Sequence, residues 1–145
     1  MGTKSIRHIV EGVISAQLAL DDGLTGVNFY TGDSASVVDL PRCVVVVDAA
    51  RPPADLPEGL GNYSCTTRVI MSSNADDTSL ATHRARCASI AGVMQGLSSL
   101  KAAFTATGDA TLYDVTPSSE DEGVDERSWA TSMSYEVLVV VPPAA

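Results

Sequence analysis

The chain has 145 residues, 45% of them apolar and 5% aromatic, which suits one hydrophobic core and leaves two domains short of material. Its 18 acidic residues outnumber 9 basic ones for a formal charge of -9, so the cationic surface that nucleic acids and anionic membranes attract is missing. Cys43, Cys65 and Cys87 form no CxxC pair; an odd count in apolar surroundings reads as reduced thiols packed like small hydrophobes.

Arg7, His8 and Glu11 interrupt the first apolar stretch, and the run at 137–141 is too short to span a bilayer. The expectation is a protein made in the cytosol, with no membrane contact. Residues 5–20 carry Ile6, Ile9, Val10, Val13, Ile14 and Leu18 at three- and four-residue steps, the stripe of a helix with one buried side. Thr3 or Ser5 can cap its start, and Gly23 can stop it. Lys4, Arg7, Glu11 and Gln17 fall largely outside the stripe.

A short strand is expected at 27–30, bounded by glycines. Next comes Cys43 with Val44, Val45, Val46 and Val47, a continuous apolar run that suits either a central strand or a strand paired at a subunit contact. The following stretch, RPPADLPEGLGN, is too rich in Pro and Gly for regular structure and reads as an extended loop or arm. A strand is expected over 63–73 and a helix from 79, capped by Asp77 or Thr78. Leu80, Cys87, Ile90, Ala91, Met94 and Leu97 keep one face of that helix apolar. Gly96 either ends it or weakens it before Leu97, Leu100 and Phe104. A strand at 111–116 and a long strand over 129–141 complete the chain, joined by a polar, acidic stretch over 117–127 that reads as a mobile or interface-ordered hairpin excursion.

This order predicts a single α+β domain over 1–145, an antiparallel or mixed β-sheet with two main helices packed on one face, plus extended loop arms. Catalytic chemistry finds no footing in it. His8 and His83 sit singly on helices without a second ligand at metal spacing, so each reads as an ordinary surface or partly buried residue. No GxSxG elbow and no phosphate-binding glycine loop occurs, and the carboxylates near 120 lack the order of a calcium loop. No catalytic, cofactor or metal residue is assigned. What remains are excursions with no catalytic task, whose natural use is contact with neighbours. Val44, Val45, Val46, Val47, Pro52, Pro53, Pro57 and Leu60 are the subunit-interface candidates. Glu120, Asp121, Glu122, Asp125 and Glu126 are the candidates for a lumen or a neighbour contact.

The sequence CVVVVDA, then a Pro/Gly-rich excursion, then CTTRVIMSSNADD running into SLATHRARCASIAGVM, closed by SWATSMSYEVLVVV, resembles the tail-terminator, or tail-completion, proteins of long-tailed bacteriophages and related neck proteins. The resemblance covers element order along nearly all the chain, with residues 69–90 its most recognisable piece. It implies a virion protein without catalytic residues or cofactor. Its copies would form a hexameric ring stacked on the last tail-tube ring, stopping tube polymerisation and meeting the head connector or stopper. Genome DNA would pass through the lumen without specific binding. Another neck, head-completion or tail-tube ring is the structural rival, and a small hydrolase the enzymatic one.

Overall fold

The computed structural model describes residues 5–32, 39–51, 62–125 and 127–141. Helix α1 spans Ile6–Ala19; Ser5, in an extended conformation, caps it by accepting from the Arg7 N–H. Ile9, Val10, Val13, Ile14 and Leu18 are buried, as their spacing predicts. A fully buried aliphatic side chain contributes about 1.5–3 kcal/mol, so this stripe, more than intrinsic propensity, holds α1 in place. Glu11, expected off the stripe, is buried as well.

A 3-10 turn at Asp22–Leu24 leads into β1 (Asn28–Thr31), followed by β2 (Arg42–Arg51) and β3 (Asn62–Asn74). Strand β2 outruns the apolar run and takes in Arg51, which the sequence assigned to the arm. Helices α2 (Leu80–Gln95) and α3 (Leu97–Thr107) follow, then β4 (Thr111–Asp125) and β5 (Ser128–Val140). Gly96 ends α2, the first of the two outcomes its position allows, and α3 begins at once with Leu97. Ser79 is the α2 cap, in place of Asp77 or Thr78: its hydroxyl accepts from the Thr82 N–H at 3.1 Å. Gly108 closes α3 at φ +72, a left-handed conformation that side chains resist.

The strands form one sheet in the order β1-β2-β3-β5-β4, with β1 parallel to β2 and every other pair antiparallel. The fold is α+β with a mixed sheet, as expected. Helix α1 lies against β1 and β2, α2 against β3 and β5, and α3 against β4. Burial alternates accordingly. Cys65, Val69 and Met71 on β3, and Met133, Tyr135, Val137 and Val139 on β5, pack beneath the helices around Ile14, Leu18, Leu100 and Phe104. The intervening residues look to the other side, where no described helix lies.

Residues 117–127 depart most from expectation. In place of a mobile loop, β4 continues through the acidic stretch, pairing Glu120 with Met133, Glu122 with Thr131 and Asp125 with Ser128. A strand needs only one neighbour to satisfy half its backbone, and β4 is the sheet edge, so its charged side chains stay in water. The partner residues Ala130, Thr131 and Ser132 are small enough to accept them without crowding. Pro117, which cannot donate, sits beside a register shift between Pro117 and Ser119.

Candidate functional site

Beneath α2 lies a buried polar cluster. His83 is fully buried, its Nδ1 2.8 Å from Ser73 Oγ on β3 and its Nε2 2.8 Å from Thr131 Oγ1 on β5. Arg86 donates from Nη1 to the same Ser73 oxygen at 2.9 Å, and Cys87 Sγ stands 3.7 Å from Nε2. This corrects the expectation of an ordinary surface or partly buried histidine. Burial holds its pKa below 6.5 against the pull of the Glu122 charge, with Arg86 and Arg84 pushing the same way as burial. A neutral imidazole donates through one nitrogen and accepts through the other, so each of its bonds is satisfied.

The pair Ser73–His83 has the residue types of a nucleophile and its base but not the disposition. Both are fully buried, so no substrate carbonyl can reach the hydroxyl, and the far ring nitrogen meets a threonine where an orienting carboxylate would sit. The cluster ties α2 to the two central strands. All three cysteines are free and buried. Burial raises the Cys65 thiol to about 11 and raises Cys87 as well, so neither is an activated thiolate. Among the described residues no group of His, Cys, Asp and Glu converges as a metal site.

A second polar contact lies where α1 crosses the sheet. Glu11 accepts from the Val47 N–H at 2.8 Å. Strand β1 ends opposite Val45, and Gly32 donates to the Val45 carbonyl, so the next outward donor of β2 is that of Val47. The carboxylate takes the place of a missing strand there, beside the register shift between Val47 and Ala49.

The face of the sheet away from the helices carries a different population. Val45 and Val47 point into the core and cannot serve as surface contacts, which corrects their assignment as interface candidates. Val44 and Val46 point the other way; Val46 is half-buried there, whereas Val44, flanked by Tyr30 of β1 and Ile70 of β3, is itself buried and is corrected as an interface candidate too. Around them lie Arg68, bound to Asp48 through two bonds of 2.6 and 3.0 Å, and Glu136, which accepts from Ser64 and Thr66 at 2.8 Å each. Pro52, Pro53, Pro57, Leu60 and Glu126 lie outside the described residues.

The acidic candidates fall on both sides of β4. Glu120 and Glu122 share the helix side with their partners Met133 and Thr131, whereas Asp121 shares the open side with Ser132; Asp125 pairs with Ser128 at the hairpin end. Arg84 of α2 grips Glu122 with bonds of 3.1 and 2.8 Å, and this bond, foremost, lowers the Glu122 pKa. The H-R-x-R turn of α2 thus places His83 inward, Arg84 on the acidic strand and Arg86 on Ser73. Sequence spacing alone carried no signal for these partners, which lie on distant strands.

This arrangement has a counterpart among solved structures. A chain from the virion of a native gene transfer agent particle superposes with a TM-score of 0.63, covering 90% of this chain and 94% of that one at 13% identity. The two share a fold. No protein-family model matches the sequence, and no curated protein does either.

Proposed function

We propose that the chain is a structural protein of a phage-type virion. Within it, copies form a ring, six in the tail-terminator arrangement, at the head-proximal end of the tail tube, ending tube polymerisation and joining the tail to the head connector. The observation that carries this reading is the superposition on a gene transfer agent virion chain over nearly the full length of both. The element order that resembles tail terminators supports the finer placement. A buried and inaccessible Ser73–His83 pair supports a building role over a catalytic one. In such a ring, half-buried Val46 belongs to the subunit contacts, while Glu120, Asp121 and Glu122 face a neighbour or the lumen, where like charge keeps DNA from sticking.

The test is to inactivate the gene in a host that makes the particles and image the products by electron microscopy. Tails of variable and excessive length beside tailless heads are the expected result. Tails of uniform length detached from heads would move the ring to another neck position. Intact, normally tailed particles would overturn the reading.

A further inference from the structure

The two halves of α2 are held on the sheet by different means. Of residues 80–88, only His83 and Cys87 are buried, and Leu80 is half-buried. What fastens this half is polar: His83 bonds to Ser73 and Thr131, Arg86 to Ser73, and Arg84 to Glu122. The second half is fastened by Ile90 and Met94, both buried, with Val93 half-buried beside them. Ser89 also rests on the 3-10 turn, so close to Gly23 that a side chain there would collide with its hydroxyl. Apolar packing is indifferent to a proton; a hold centred on a buried imidazole is not.

Charge on His83 is poorly met while the helix is down. Strands β3 and β5 meet its two ring nitrogens with the hydroxyls of Ser73 and Thr131. Arg84 and Arg86, on the same helix, oppose its protonation, and Glu122 on β4, which favours it, is already held by Arg84. Cys87, 3.7 Å from Nε2, brings a thiol that burial keeps neutral. Burying a charge without full compensation is costly, and lifting the segment into water removes that cost. We propose that residues 80–88 of α2 form an acid-opened flap, which a proton on His83 lifts from the sheet while residues 89–95 stay seated. Opening gives up few buried apolar contacts, the mark of segments that unfold locally ahead of the whole. It brings Cys87 into water. Cys65, in the core cluster and about 26 Å along β3 from Ser73 at the usual strand rise, stays covered.

The flap rests on the fold alone and stands apart from the virion reading. The purified chain is treated with dithiodipyridine, a disulfide that reacts with thiols in acid as well as at neutral pH. Labelling of each cysteine is followed by mass spectrometry at pH 7.5 and pH 5.5. Each rate is divided by that of the urea-unfolded chain at the same pH, which removes the reagent's own pH dependence. With an ordinary histidine pKa of about 6.5 in the open segment, the proton raises the open fraction by up to about tenfold over this interval. The expected result is a rise of that order at Cys87 and none at Cys65. His83→Gln, whose amide can bond to hydroxyls but takes up no proton, should show a flat Cys87 profile. Should that variant not fold, amide hydrogen exchange in the parent decides: residues 80–88 must gain exchange at pH 5.5 relative to α3, residues 97–107. Cys87 and Cys65 rising together, no rise at Cys87, or an equal rise in His83→Gln would each overturn the proposal.

Discussion

His83 carries the largest consequence of any single side chain. Its ring spans from α2 to β3 and β5, so its removal leaves Ser73 and Thr131 short of a partner inside the core. Each orphaned buried group costs about 1–3 kcal/mol, to which a cavity adds, so His83→Ala should destabilise the fold by about 3 kcal/mol in urea unfolding. A loss under 1 kcal/mol would mean the cluster relaxes freely. The same residue sets a pH dependence. Its folded pKa lies below 6.5, so above that pH the ring is neutral in both states and adds no pH dependence. As pH falls below 6.5, the unfolded chain takes up the proton first, and stability drops until the folded pKa is passed. His83→Gln should lose this part of the slope, read as a smaller difference between urea midpoints at pH 7.5 and pH 5.5 than the parent shows.

At the scale of elements, α1 is held by more than its apolar stripe. The Glu11 carboxylate closes the β2 edge where β1 stops, joining helix to sheet at the Val47 amide. Glu11→Ala orphans that donor and should cost about 1–3 kcal/mol, with faster hydrogen exchange at the Val47 amide. Glu11→Gln keeps an acceptor oxygen and should cost far less; equal losses would place the effect elsewhere. Element identity was largely legible. The α1 stripe, the valine strand, the strand over 63–73 and the breaking residue Gly96 all lie where periodicity and glycine chemistry put them. The contacts of Glu11 were not, because a carboxylate beside an apolar stripe looks solvated until the strand it caps is known. The acidic half of β4 was misread for a related reason: charge runs are usually solvated loops, whereas an edge strand is itself solvated along one side and tolerates the same residues. Nothing local in residues 117–125 reveals the partner strand, which is a long-range property.

At the scale of the whole molecule, the sheet divides the four valines of β2 between its two faces. Val45 and Val47 belong to the core, and Val44 and Val46 to a face that no described helix covers. The sequence could say that the run was too apolar for an ordinary surface strand, but not which member faced which way, since period-two alternation is hidden when every residue is valine. The division separates the valines that the core needs from those that it does not. Val46 is half-buried on the open face, beside Arg68, so Val46→Glu meets water and a cation and should leave the far-UV spectrum and the unfolding midpoint close to those of the parent. Val45→Glu forces a carboxylate into the core and should prevent folding, because a buried unpaired charge has no compensating interaction. If the open face is a subunit contact, as proposed, a folded Val46→Glu chain should be missing from purified particles. Its incorporation at the parental level, alongside an unfolded Val45→Glu chain, would remove the open face from the ring interface while leaving the fold assignment intact.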